Sequence, residues 1–150
     1  MEGFELKIFA PEHIPEAAEI ERLCFSEPWT EEALSYMCTS PNTRAIAVID
    51  RSNGALAAYG GAQFVLDEAN IVNIATHPDY RRRGCASAIM HALEAFMRDN
   101  GVEFVYLEVR ESNIGARALY EKEGFAPCGI IKNYYRFPAE DAVEMMKKLN

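Results

Sequence analysis

At 150 residues, the chain has the length of one domain that can bury roughly two-thirds of its unfolded surface. Apolar residues make up 49% and charged residues 25%, the balance of a soluble globular protein, and no apolar run approaches the ~18 residues needed to span a bilayer. The formal net charge of −8 argues against a general nucleic-acid binder, which would be basic, and favours a cationic partner.

Phe4 to Ala10 alternates like a short strand. Pro11 and Pro15 then punctuate the start of a helix reaching about Phe25, with Ala17, Ile20 and Cys24 at helical spacing. Ser26 to Trp29 is a break, after which Thr30 can cap a second helix carrying Glu31 and Glu32 in its first turn. Arg44 to Asp50 and Ala55 to Leu66 read as strands joined by Arg51-Ser52-Asn53-Gly54, where Asn-Gly between apolar runs signals a hairpin. A strand from about Ala69 to Thr76 follows a turn at Asp67-Glu68. Ala86 to Asn100 puts Ile89, Met90, Leu93, Phe96 and Met97 on one face and Ser87, His91, Glu94 and Arg98 on the other. That is an amphipathic helix, with Gly101 as its C-cap. Glu103 to Val109 is a strand, Asn113 to Glu123 a helix ending at Gly124, and Phe125 to Tyr134 and about Asp141 to Leu149 are closing strands. No repeat, low-complexity segment or linker interrupts this order, so residues 1–150 read as one unit. The order implies a mixed α/β sheet, antiparallel early and parallel in the middle.

The strand Ile71 to Thr76 leads through His77-Pro78-Asp79-Tyr80 into Arg81-Arg82-Arg83-Gly84-Cys85-Ala86-Ser87 and the long helix. In an acidic chain, an anionic ligand needs a local feature that works against the global charge, and this basic island is one. The first N–H groups of a helix have no intrahelical acceptor, and the helix dipole there favours negative charge. Gly84 lets backbone approach a ligand closely, and the arginines can pair with outer phosphates. On charge alone the segment would read as a solvated run before an ordinary helix; the glycine at the helix start tips the reading to a phosphate site. The spacing is neither a dinucleotide-binding G-x-G-x-x-G nor a P-loop G-K-[ST]. Arg81-x-x-Gly84-x-Ala86 resembles the Q/R-x-x-G-x-G/A signature of the GNAT superfamily of N-acetyltransferases, whose loop amides hold the pyrophosphate of CoA. The resemblance implies acetyl-CoA as co-substrate and a GNAT-type α/β (α+β) fold, a mixed sheet of about seven strands flanked by about four helices.

Downstream, Glu108 shares a strand face with Phe104 and Tyr106, opposite Val105, Leu107 and Val109. A carboxylate on an aromatic-lined face can become a general base, or can be a rim carboxylate paired with arginine. Tyr120 follows Asn113 by almost two helical turns, so both share a stripe with Ala116. Its phenol suits protonation of a leaving thiolate, and beside Ala118 and Leu119 it equally suits a core position.

The resemblance narrows through Cys24-Phe25-Ser26-Glu27-Pro28-Trp29, Val65 to Ala69, Leu107 to Arg110, Ala118 to Phe125, Asn133-Tyr134-Tyr135 and Glu140-Asp141-Ala142. These blocks look like those of bacterial ribosomal-protein-alanine N-acetyltransferases. The likeness implies Glu108 as general base and Tyr120 as general acid. It also implies CoA contacts at Ile74, Ala75, Thr76, Asn113 and the loop Arg81, Arg82, Arg83, Gly84, Cys85, Ala86 and Ser87. The implied acceptor is the basic N-terminal segment of a small-subunit ribosomal protein. Glu27, Glu31 and Glu32 would suit such a partner near the peptide path, or complement the helix dipole. Ala86 stands where a second glycine is more frequent, His77 where an acidic residue is common, and the tip Arg136-Phe137-Pro138-Ala139 has no counterpart in the pattern.

Cys24, Cys38, Cys85 and Cys128 form no Cys-x-x-Cys pair, and His13, His77 and His91 do not cluster, so no metal site is expected. Unpaired cysteines and an acidic N-terminal segment without an apolar core suit a cytoplasmic protein without a secretory signal. Two other readings remain open: a GNAT acetylating a small amine, and a CoA-binding module without catalysis. Composition and spacing are silent on oligomeric state.

Overall fold

The computed structural model describes residues 1–149. The elements run β1 (Phe4–Ile8), a 3-10 turn (Pro11–His13), α1 (Ile14–Cys24), α2 (Glu31–Thr39), β2 (Thr43–Asp50), β3 (Leu56–Val65) and β4 (Glu68–Thr76). A second 3-10 turn (Pro78–Tyr80) leads to α3 (Cys85–Asp99), β5 (Phe104–Arg110), α4 (Ile114–Lys122), β6 (Ala126–Arg136) and β7 (Ala139–Lys148). The strands make one 7-stranded sheet in the order β1-β2-β3-β4-β5-β7-β6. β4 and β5 are its parallel pair, joined by the crossover through α3 as parallel pairing requires. Every element expected from the sequence is present, with ends shifted by a residue or two.

Local chemistry sets the boundaries. Thr30 Oγ1 accepts from the Ala33 N–H at 3.1 Å and opens α2. Gly101, at φ 78, closes α3: its N–H donates to Arg98 O at 3.3 Å and the Val102 N–H to Met97 O at 3.0 Å. Strand alternation feeds two cores. Val48, Val105, Leu107, Val109 and Met145 pack against Ile89, Met90, Leu93 and Met97 of α3. Ala45, Ala47, Tyr59 and Ala75 pack on the opposite face against Ala17, Ile20, Leu34 and Met37 of α1 and α2. Because β3 is covered on both faces, Leu56 to Ala62 is buried without alternation.

One expectation fails in detail. Glu94, assigned to the solvent face of α3, is only 6% exposed. Lys147 of β7 reaches across to it at 2.5 Å and Arg98 lies at 3.9 Å, so the charge is paired beneath the helix rather than solvated.

The feature that shapes the site is the parting of β4 and β5. Their register holds for Glu68↔Phe104, Ala69↔Val105 and Asn70↔Tyr106, and then ends. β4 stays paired with β3 as far as Thr76, but the register shifts: Ala62 faces Ile71 while Gly61 faces Asn73. Val72 is thus the extra residue of a bulge, and bulges bend the strand that carries them. The bend carries Ile71 to Thr76 away from β5 and opens a cleft in the middle of the sheet.

Gly60 sits at this bend. A Cβ there would lie 2.9 Å from both Ile74 Cγ1 and Ile89 Cγ2 and 3.1 Å from Asn73 O. Gly60→Ala should therefore lower stability by about 1–3 kcal/mol through overpacking, read as a reduced urea midpoint with unchanged slope. An undiminished midpoint would mean that α3 and β4 can yield.

Candidate active site

The arginine-glycine loop is built from unusual backbone. Arg82 (φ 63) and Gly84 (φ 83) are both left-handed, and Gly84 is the N-cap of α3. An added Cβ at Gly84 would meet only Met1 Cε, at 3.7 Å, so conformation rather than crowding calls for glycine. Thr30 caps α2 and Asn113 caps α4 with side-chain oxygens, whereas α3 has no side-chain cap. The N–H groups of Cys85, Ala86 and Ser87 form the first turn, where a helix lacks internal acceptors. Their partner is left to a ligand or water. Cys85 is buried, with its thiol pKa raised by that burial, while Ala86 and Ser87 are half-buried.

Arg81 and Arg83 do not point together. The Arg83 guanidinium lies over the rings of Phe4 at 4.9 Å and Tyr80 at 5.4 Å. Arg81 Nη2 donates to Cys24 Sγ at 3.5 Å, and Cys24 Sγ donates to Thr76 O at 3.3 Å. The anion-binding character of this corner therefore resides in backbone amides more than in converging cations.

Beside the loop runs the free edge of β4. The His77 N–H donates to Ala57 O on β3 at 2.9 Å. Alternation along an antiparallel strand then turns the N–H groups of Thr76 and Ile74 to the other side, toward the cleft, and that of Ala75 toward β3. Across the cleft stand β5 and α4. Asn113 Oδ1 accepts from the Ala116 N–H at 3.1 Å and so starts α4. Tyr120 is half-buried against the α3-side core, edge-on to Phe125 with ring centroids 6.1 Å apart. Burial pushes its phenol up to about 12.

Glu108 lies on the opposite face, since its neighbours Leu107 and Val109 fill the α3-side core. Burial raises its pKa, the Glu144 charge adds to that, and the side chains of Tyr134 and Asn70 pull it back. Glu144 stands directly opposite Glu108 in the β5–β7 register. The Glu108 Oε2 atom is buried and makes no hydrogen bond. Glu108, just past the last β4–β5 register pair, and Tyr120 therefore lie on opposite faces of the sheet. The Tyr135 phenol is pushed up to about 12 by burial first, with Glu108 and Tyr120 among its smaller influences.

Two arms close over the Glu108 face. Arg110, two residues along β5 on the same face, donates to Pro138 O at 2.9 Å, Phe137 O at 3.1 Å and Glu140 Oε1 at 3.1 Å. Its guanidinium covers the Tyr135 ring at 4.3 Å, and it reaches Ser26 Oγ at 3.4 Å. Ser26 in turn donates to Phe137 O, and Glu27 pairs with Arg136 at 3.5 Å. The α1–α2 loop and the β6–β7 tip thus touch. Glu31 and Glu32 lie in the first turn of α2. A cavity of about 600 Å³ lined by Trp29, Tyr36, Met37, Gln63 and Val72 adjoins on the α2 side, and neither Glu108 nor Tyr120 lines it.

Several polar groups near the site were not singled out in the sequence. Glu21, fully buried on α1, accepts from the Trp29 N–H at 2.9 Å, from the Tyr59 hydroxyl and from Asn73 Nδ2. Its burial raises its pKa against the pull of the Trp29 and Asn73 donors. The signal was a carboxylate one turn from Ala17 on the apolar stripe of α1. Glu144, between Val143 and Met145, was a similar anomaly in an apolar strand.

A seven-stranded sheet thus parts in the middle, with an uncapped helix start beside the parting. The Acetyltransferase (GNAT) family matches residues 14–125, and the chain belongs to that family. The chain is 38% identical over 131 residues to the [ribosomal protein bS18]-alanine N-acetyltransferase of Escherichia coli (strain K12), covering 87% of this chain and 85% of the relative. The crystal structure of the ribosomal-protein-S18-alanine N-acetyltransferase from Escherichia coli matches with a TM-score of 0.88 at 34% identity, covering 98% of this chain and 94% of that one. Arabidopsis thaliana NAA60 in complex with acetyl-CoA has the same fold, with a TM-score of 0.90 at 19% identity over 98% of this chain and 99% of that one. No helix among the described residues is long and apolar enough to cross a membrane.

The Glu108 environment has a consequence for stability. The folded chain holds this proton more tightly than the unfolded chain, so its contribution to stability is present below the unfolded pKa and is lost as pH rises through the folded pKa. Glu108→Gln should raise the urea midpoint at about pH 7.5, with the gain vanishing below about pH 4. An equal midpoint at both values would contradict burial of the charge.

Proposed function

We propose that the chain transfers the acetyl group of acetyl-CoA directly to the α-amine of the N-terminal alanine of ribosomal protein bS18. The observation that supports this reading is Glu108 on β5 just past the parting of β4 and β5, with Tyr120 on the opposite face of the sheet. The acceptor rests on the names of the relatives.

The residues fit the co-substrate. The free amides of Cys85, Ala86 and Ser87 at the start of α3 suit a pyrophosphate, and the cleft edge of β4 can pair with an amide-bearing arm. Acetyl-CoA supplies an activated acyl carbon as a thioester; the chain supplies position and proton handling. The N–H groups of Ile74 and Thr76 face the cleft, where the carbonyl oxygen gathers negative charge on attack, and they need no reorganisation to stabilise it. Asn113 starts the helix that brings Tyr120 to the same side.

Glu108 takes the proton that the ammonium must lose. Its raised pKa brings it closer to that of an α-amine, about 8, than an ordinary carboxylate would be, which favours proton transfer. Lysine, near 10.4, would be a harder donor. Tyr120, pushed up to about 12, keeps its O–H at working pH and presents a donor to the departing sulfur. With the base on one face and the acid on the other, the amine and the thiol need not compete for one space.

Mass spectrometry of a peptide with a free N-terminal alanine should find one acetyl group on the α-amine. Modification at lysine alone, or none, would overturn the acceptor. Glu108→Gln should lower kcat by about 10²–10⁴, and Tyr120→Phe should slow turnover while leaving the KM for acetyl-CoA near its original value. Undiminished turnover in both would remove the acid–base pair. Gly84→Val should raise the KM for acetyl-CoA with a smaller change in kcat, because left-handed backbone costs a β-branched residue about 1–2 kcal/mol.

A further inference from the structure

β5 and β7 set two carboxylates directly against each other. Glu108 and Glu144 are register partners, so their side chains leave the same face with Cβ atoms about 5 Å apart. Like charges so placed destabilise a sheet unless something offsets them. No cation among the described residues does: neither carboxylate takes part in an ion pair there, and only the neutral side chains of Tyr134 and Asn70 favour the Glu108 charge. The cations of the surrounding strands are engaged elsewhere, Lys148 over the Phe104 ring at 6.0 Å and the others in ion pairs. Arg110 holds Glu140, Lys132 holds Asp141, Arg136 holds Glu27 and Lys147 holds Glu94. Glu144 accepts from a weak donor, the Cys128 thiol, 3.7 Å from Oε1. Glu108 Oε2 has no partner at all.

The charge count then constrains the acceptor. Two carboxylates meet one ammonium when an amine binds, which leaves one negative charge. Once the amine passes its proton to Glu108, Glu144 still carries its charge and the neutral amine no longer balances it. A second cation beside the amine would offset Glu144 both before and after that transfer. Adjacent residues of a peptide lie 3.8 Å apart at Cα, comparable to the spacing of the two carboxylates, so the residue after the acetylated one can supply it.

Building on the proposed acetyl transfer, we infer that Glu144 is a specificity-determining residue that selects acceptors with a second positive charge next to the reacting amine. The fitting case is a peptide with lysine or arginine at its second position, and a short diamine shares the same chemistry.

The test compares kcat/KM for peptides identical except for Lys, Gln or Glu after the N-terminal alanine, and for 1,4-diaminobutane against 1-aminobutane. The unaltered enzyme should prefer Lys over Gln by about tenfold, and Glu should be poorest. In Glu144→Gln the Lys-to-Gln ratio should fall to within about twofold, and Glu144→Asp should restore part of it. A Lys preference that survives Glu144→Gln, or that is absent in the unaltered enzyme, would overturn the inference while leaving α-amine transfer in place. No transfer to any alanine peptide would overturn the proposed acceptor instead. The diamine-to-monoamine ratio then decides the role of Glu144: collapse of that ratio in Glu144→Gln supports it, and persistence rejects it.

Discussion

Strands β4 and β5 hold each other over three register pairs and then part. The parting makes room for a ligand inside a sheet that would otherwise be closed, and it leaves the Ile74 and Thr76 amides without strand partners. It is held open from both sides. The Val72 bulge bends β4 along β3, and Gly60 lets Ile89 of α3 press close to the bend. The same parting frees the β4 edge that leads to the α3 start and leaves Glu108 just past it on β5.

The sheet also separates two kinds of electrostatics in an acidic chain. On the α3 side, the positive end of a helix dipole and free amides suit an anion, and the arginines nearby are largely turned to aromatic rings and a thiol. On the other side, carboxylates dominate: Glu108, Glu144 and the buried Glu21. A negatively charged donor and a positively charged acceptor would thus approach surfaces of opposite character. The overall charge of −8 describes only the second of these.

Much of this was legible in the sequence because it is local. The α3 stripe, the Thr30 cap, the Asn53-Gly54 reversal and the glycine of the phosphate loop each depend on residues a few positions apart. The alternation of β5 placed Glu108 opposite the apolar core. What escaped was non-local. The bulge at Val72 is a matter of register with β3, which apolar alternation does not count. Glu144 meets Glu108 only because β7 inserts between β5 and β6 in the sheet. Glu94 looked like a solvent-face carboxylate until Lys147, far along the chain, was placed beneath it.

The contact between the α1–α2 loop and the β6–β7 tip changes the topology of the acceptor face. Ser26 with Phe137, and Glu27 with Arg136, join two arms across the space beyond Glu108, with Arg110 as the keystone. A groove spanned in this way becomes an eyelet. A free chain end can be threaded through an eyelet to any depth, whereas a side chain in the middle of a folded segment enters only as far as its own length allows. With the span intact, the arms would discriminate between ends and interiors by reach, whatever the pKa of the amine.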